Sequence, residues 1–534
     1  MKEISSASPE RDRNWLQSVS QLLAHQEAIV ALFILCHLAI TIPLAAVLNI
    51  WFDEGYSLNT TSRDVVFAVQ HGLNYEWQPP VFPALLNLWR SLNGSIFFAR
   101  LFSVLCSTLT IYVGFLLSKR FIHNIHPAWI AGILAFNPYL IWAGVEIRLY
   151  ALSILFSALL LLFFYDGYLA DNGSSRARWI YFFLSILGLY THFFLAFVLI
   201  ANGAALLFLR RWRALSTYIV FTAIAGLCFL PFFLLLVARL SDRLEAYNDP
   251  VPLTRSLSFV VLSITNFIVY IWKDSSFSSR VFRAFWGLAI PLVCLFLIAK
   301  SRRTVQAQHQ ALWIGTLVIG LLLAAFLTKT STATEERYVY PLLVPSILGF
   351  LCVLSLIQSG AVRRSGLRIW AGVIACFFTV SLFTIYSPLA KTGDWHRVAS
   401  YLTATEQSNQ PILVFSAELE MMLKPYYSGK NAIVPVPQKQ QFEQFNPADF
   451  QIKNEQQVFD FFSQIPADQQ TVWLVTSEQH CPGLGTVKLR QYPDSLNCGV
   501  LTDFVNKNYS VVSVQQFFES TVQLLKRNPA PLKP

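Results

Sequence analysis

Apolar residues in this chain come in long unbroken runs as far as about Ala390, with polar and charged residues confined mainly to the short gaps between them. A helix needs about 20 mostly apolar residues to cross the ~30 Å hydrocarbon core of a bilayer. Runs of that order fall at 28–50, 96–118, 127–145, 150–166, 178–190, 192–209, 215–238, 283–300, 311–328, 338–357 and 367–389, which predicts about eleven spans. Ahead of them, Trp15, Leu16, Val19, Leu22 and Leu23 recur at helical spacing. Residues 1–27 therefore read as a cytoplasmic amphipathic segment lying on the membrane surface. After Lys391 the pattern changes to that of a solvated domain, 391–534. "KTGDWHRVASYL" predicts an amphipathic helix from Asp394, while "PILVF" (Pro411–Phe415), "TVWLV" (Thr471–Val475) and "YSVVSVQQF" (Tyr509–Phe517) predict strands. Strands alternating with helical stretches predict a small α/β domain.

Composition agrees with this division. The chain is 54% hydrophobic and 13% charged, against about 25% charged in soluble domains, so residues 28–390 form a multi-pass membrane protein. The net charge of +10 does not indicate nucleic acid, because the basic residues form short clusters between apolar runs instead of a stripe. They are Lys119-Arg120, Arg176 with Arg178, Arg210-Arg211-Trp212-Arg213, Lys300-Ser301-Arg302-Arg303, and Arg363-Arg364 with Arg368. Lys and Arg near span ends stay cytoplasmic, and a cytoplasmic N-terminus puts every cluster inside. The apolar stretch 257–272 reads as re-entrant or external, since counting it as a span would push Lys300 to Arg303 outside. The C-terminal domain is then exported. Of the eight cysteines, six lie in or beside spans and read as small buried residues. Cys481 and Cys498 lie in the exported domain, where an oxidising compartment permits a disulfide.

This topology places four chemically equipped segments on the outer side. Asp53-Glu54 opens a first loop, 51–95, that includes "YEWQPPVFP" from Tyr75 to Pro83; "GVEIRLY" spans Gly144 to Tyr150, "YTHFF" Tyr190 to Phe194, and "TEERYVY" Thr334 to Tyr340. Ionisable residues are expensive in membrane segments, so their convergence at span ends points to a site. A carboxylate there can take the proton of an attacking hydroxyl; Asp53 is the better candidate, with Glu54 beside it in a supporting role. A phosphate leaving group needs positive charge and directed donors, which Arg148 and Arg337 supply. His192 can donate to the phosphate or bind a metal. Glu336 and Tyr150 are supporting candidates from the same segments. Asp53 with Glu146 offers oxygen ligands to a divalent cation, although no ligand spacing marks a metal site. No Gly-rich phosphate loop is present, so no nucleotide is implied.

The ordered set "FDEGYS", "QPPVFPALLNLW", "ARLFSVL", "NPYLIWAGVEIRLYAL", "YTHFF" and "ERYVYPLLVP" resembles bacterial GT-C glycosyltransferases, closest to the family-39-type group of protein-mannosyltransferase and aminoarabinose-transferase relatives. The resemblance spans roughly residues 28–390. It implies an inverting transferase of the bacterial cytoplasmic (inner) membrane, moving a hexosyl or pentosyl unit from a polyprenyl-phosphate donor to a glycan, lipid or protein acceptor on the outer face. It also implies Asp53 as the catalytic carboxylate, with Glu146 matching the acid of the "EIR" turn and Arg148 contacting the donor. Gln78 departs from the pattern, standing where relatives often carry His. Two other classes share these features. A polymerase or ligase of lipid-linked polysaccharide would use the same donors, whereas an ion-coupled transporter or flippase would carry ionisable groups near the midplane, where His37 is the visible exception. The exported domain is expected either to cover the cavity and help select the acceptor or to serve folding or partner docking alone.

Overall fold

The computed structural model describes residues 9–246, 251–270, 277–301, 305–329, 336–442, 446, 449–466, 468–481, 496–529 and 532. Arg302, Arg303, Thr334 and Glu335, named above, lie outside the described residues, as do 1–8, 271 and 272. Among the described residues, eight helices are long and apolar enough to cross a membrane: Gln26–Val47, Ile96–Phe121, Tyr150–Leu169, Trp212–Leu235, Arg280–Ser301, Ala307–Leu327, Glu336–Ser355 and Gly360–Tyr386. Each falls on one of the expected runs. The other three runs are helical but short: 127–145 is split into Ala128–Phe136 and Pro138–Gly144, and 178–209 forms Ser175–Leu189 and Leu195–Phe208. Helices of 15 and 14 residues reach only about 21–23 Å at 1.5 Å per residue, so among the described residues eight helices rather than eleven meet the length of a span. The stretch read as re-entrant or external forms the helix Leu253–Ile268, 16 residues long. At the N-terminus one helix runs unbroken from Pro9 to Val47, so the backbone of residues 9–27 is continuous with the helix of the first span.

The split in 127–145 has a local cause. A residue before proline is driven out of the α region, and Asn137 is extended (φ −64°, ψ 122°). Pro138 then opens the next helix, where its missing N–H costs nothing, and the Asn137 side chain caps it by accepting from Tyr139 N at 3.0 Å. The Asn137 amide also donates to Phe267 O at 3.1 Å, tying the break to the Leu253–Ile268 helix.

The chain forms two compact units. The first comprises Met1–Pro43, Arg100–Trp272 and Phe277–Ser381; the second comprises Leu44–Ala99, Lys273–Ser276 and Leu382–Pro534. This differs from a division at residue 391, because the first outer loop groups with the C-terminal domain. Within the first unit, helix ends that the charge rule assigns to the cytoplasm meet one another. Arg120 Nε and Nη2 donate to the two carboxylate oxygens of Asp166 at 3.0 and 3.1 Å, Arg211 donates to Leu169 O and pairs with Asp171 at 3.5 Å, and His309 Nε2 lies 2.7 Å from Phe121 O.

The second unit is built on a mixed sheet of β1 (Ile412–Phe415), β2 (Ile433–Val436), β3 (Thr471–Ser477), β4 (Tyr509–Phe517) and β5 (Ser520–Arg527), in the order β2-β1-β3-β5-β4. β1 runs parallel to β2 and β3, and β5 is antiparallel to β3 and β4. Both faces of the central strands are covered, which explains their continuous apolar runs. Leu413, Phe415, Val472 and Leu474 pack against Val458, Phe462, Leu501 and Phe504 on one face. Ile412, Val414, Trp473 and Val475 pack against Trp395, Val398 and Leu402 on the other, with Ile50, just before the first loop, in the same core and Phe52 and Leu58 of the loop packed against it. The helix expected from Asp394 spans Trp395–Thr405, and Asp394 caps it by accepting from Arg397 N at 3.3 Å. Cys481 and Cys498 form a disulfide, their Cα atoms 5.3 Å apart.

Candidate active site

The acidic pair sits in the first turn of a nine-residue helix, Phe52–Thr60, in the second unit. Trp51 precedes it in an extended conformation (φ −117°, ψ 171°). Glu54, at the third helical position, reaches back to accept from Trp51 N at 3.4 Å, a capping arrangement that also sets its charge against the positive end of the helix dipole. The structure separates the two neighbours. Glu54 is fully buried and bonds to Lys391 Nζ at 3.1 Å. Lys391 is itself held by Asn49, which accepts from Lys391 N and donates to Lys391 O, both at 3.0 Å. The Glu54 carboxylate is thus engaged in holding the loop to the chain segment that follows the last span. Asp53 is only partly buried and keeps accessible surface. Of the two, Asp53 has the exposure a proton acceptor needs.

The other three segments belong to the first unit and are brought together by aromatic rings. Glu146 is fully buried in the turn before the Tyr150–Phe164 helix, and its carbonyl accepts from Ser103 Oγ at 2.5 Å. Arg148 is partly buried in the same turn. Tyr150 stacks on Trp142 (centroids 5.7 Å apart), and Tyr340 stands edge-on to both, at 5.9 and 6.2 Å. Tyr340 also meets Tyr139 and Phe267, at 5.9 and 6.3 Å. Two residues earlier, Tyr338 carries the Arg337 guanidinium over its ring at 5.5 Å and meets Phe194 edge-on at 6.0 Å. Glu336 opens this 3₁₀ segment, Glu336–Leu342. His192 is buried beside Phe193 and Phe194, ring centroids 5.5 and 4.9 Å away. Its Nδ1 accepts from Phe194 N at 3.2 Å, so the neutral ring carries its hydrogen on Nε2, which can donate. The turn segments around Arg148, His192 and Arg337 therefore meet at one end of the unit, with Tyr338 and Tyr340 between them.

Sequence reasoning missed Lys391, Tyr56 and Glu418. Lys391 carried a signal, as the one charged residue between Arg368 and Asp394. Tyr56 and Glu418 carried none, since their contact joins residues 362 positions apart. Gln78 is buried and donates to Glu76 at 2.9 Å. Among the described residues, no group of three His, Cys, Asp or Glu side chains is placed to hold a metal ion.

No protein-family model matches the chain, and no curated protein matches it. Solved structures do. ArnT from Cupriavidus metallidurans bound to undecaprenyl phosphate superposes with a TM-score of 0.56 at 15% identity, covering 93% of this chain and 97% of that one. Its apo form gives 0.56 at 14% identity, with coverages of 95% and 98%. The oligosaccharyltransferase AglB from Archaeoglobus fulgidus, in complex with an inhibitory peptide and a dolichol-phosphate, gives 0.45 at 11% identity, covering 85% of this chain and 70% of that one. Over most of its length the chain has the fold of these ArnT structures, with apolar helices long enough to cross a membrane and a C-terminal sheet region.

Proposed function

We propose that this protein is a membrane glycosyltransferase that moves a sugar from a polyprenyl-phosphate donor to a hydroxyl-bearing glycan, lipid or protein acceptor at the outer face of the bacterial cytoplasmic membrane. The observation that carries the reading is the fold shared over nearly the whole of both chains with an ArnT structure that holds undecaprenyl phosphate. In the reaction, the acceptor oxygen attacks the anomeric carbon as the bond from that carbon to the phosphate oxygen breaks. The bonding pair leaves with the polyprenyl phosphate, Asp53 takes the hydroxyl proton, and configuration inverts. Arg148 and Arg337 offset the charge that develops on the phosphate, and His192 Nε2 donates to it. Glu54, Glu146, Glu336 and Tyr150 support these groups.

The test is purified protein in lipid nanodiscs, assayed with a panel of undecaprenyl-phosphate sugars. Asp53→Asn keeps size and most hydrogen bonding, and it is expected to lower turnover by about 10²–10⁴ while donor affinity stays near wild type. Near-normal turnover in that variant overturns the mechanism. Arg148→Ala and Arg337→Ala are expected to weaken both donor binding and turnover, since the phosphate loses a charge-assisted fork in ground and transition states alike. The chemistry as written uses no cation, so activity is expected to survive EDTA. Loss of activity restored by Mg²⁺ or Mn²⁺ would overturn the cation-free chemistry.

A further inference from the structure

The second unit contains a buried polar network that none of the steps above uses. Glu418 follows β1 and His480 follows β3, so both stand at the carboxyl ends of adjacent parallel strands. His480 Nε2 lies 2.9 Å from Glu418 Oε1, and its Nδ1 lies 3.3 Å from both Ser416 Oγ and Ser477 Oγ. The remaining oxygen, Glu418 Oε2, accepts from Tyr56 Oη at 2.8 Å. Gln440 completes the network, donating to Tyr75 Oη and, at 3.4 Å, to Tyr56 Oη. Tyr56 belongs to the Phe52–Thr60 helix that carries Asp53.

Adhesion alone does not require this network. Ile50, Phe52 and Leu58 already attach the loop to the core formed by Trp395, Leu419 and Trp473, and buried charge is a poor source of net stability. What a satisfied buried network adds is a unique orientation. Asp53 and Tyr56 are three residues apart, hence about 60° apart around the helix, and any roll or slide of the helix that moves Asp53 pulls Tyr56 Oη off Glu418. The first turn is held separately by the Lys391–Glu54 pair. We propose that Glu418 is a positioning residue for the transfer reaction: through Tyr56 it sets the orientation of the helix that presents Asp53, which makes the C-terminal domain part of the catalytic apparatus. Glu418 is buried, 9% exposed, and acts through Tyr56. The proposal rests on Asp53 being the base.

The experiment compares wild type, Tyr56→Phe, Glu418→Gln and the double variant as full-length protein in nanodiscs, using the undecaprenyl-phosphate sugar that wild type turns over fastest. Misplacement of a reacting group by about 1 Å costs up to about a hundredfold. Each single variant should therefore lose about ten- to a hundredfold in kcat with donor KM within about twofold, and the double variant should be no worse than the worse single. Hydrogen exchange of the amides of residues 52–60 should quicken in both singles, while exchange in β3 stays as in wild type. Normal kcat in Tyr56→Phe, additive losses, or unchanged exchange at 52–60 would each overturn the proposal. Tyr56→Phe carries the test alone if Glu418→Gln does not fold. An inactive Asp53→Asn with a fully active Tyr56→Phe removes only the positioning role. An active Asp53→Asn removes the base assignment and, with it, the catalytic meaning of the network, whereas the exchange data still report whether Glu418 holds the helix.

Discussion

Two adjacent carboxylates in one helical turn have different chemistry because their surroundings differ. Glu54 faces the interior and meets Lys391, with the two side chains 0% and 9% exposed. Removing one partner of such a buried pair costs about 3–5 kcal/mol, whereas replacing both by apolar groups is often neutral. Lys391→Met and Glu54→Leu should each lower the unfolding temperature of the purified protein, and the double variant should lose less than the sum of the two. Additive losses would mean that the pair contributes no coupling energy. Glu418 supplies a pH test. Burial alone would raise its pKa, but the His480 ring and the hydroxyls of Tyr56 and Ser416 outweigh burial and hold it below the ordinary carboxylate value. A lowered folded pKa contributes stability that is fully present above the unfolded value of about 4.3 and is lost as pH falls through the folded value. Wild type should therefore lose thermal stability below about pH 4.3 more steeply than Glu418→Gln, which thermal unfolding across pH 3–6 would measure.

The elements show how local signals and packing divide the work. The break at Asn137-Pro138 follows from backbone sterics and a side-chain cap. The strands β2 and β5 have no such signature. β2 reads "IVPV" and is only partly buried along most of its length, and β5 reads "STVQLLKR", with two adjacent leucines breaking the alternation, beside the "YSVVSVQQF" run that it pairs with. The Cys481–Cys498 bridge joins the turn after β3 to the start of the Cys498–Asn508 helix, across a separation of 17 residues. Closing a loop of that size contributes about 3 kcal/mol in the chain-entropy account. Thiol labelling of the denatured, unreduced protein should leave both cysteines unmodified. Full labelling of either would rule the bridge out.

At the scale of the whole molecule, the charge clusters predict an orientation. Contacts from Arg120, Arg211 and His309 join ends assigned to the cytoplasm, and rings around Tyr338 and Tyr340 join ends assigned to the exterior. Reporter fusions after Arg303 and after Lys391 should report opposite sides of the membrane, cytoplasmic for the first and exterior for the second. The same side for both would defeat the orientation and return the Leu253–Ile268 helix to the list of crossings.

The sequence by itself determined the membrane class, the place of the eight long apolar helices found among the described residues, the α/β character of residues 391–534 and the candidacy of Asp53, Arg148, His192 and Arg337. These properties follow from run length, charge bias and local chemistry, which act within about 20 residues of chain. Only the tertiary structure decided that Glu54 is buried against Lys391 while Asp53 keeps accessible surface. It alone decided that the first loop packs on the core of the C-terminal domain through Phe52 and Leu58, and that Tyr56 meets Glu418. Each of these joins residues more than 300 positions apart, and no periodicity or local propensity encodes a contact across that distance: it arises when two apolar surfaces bury each other and their polar groups must then find partners inside.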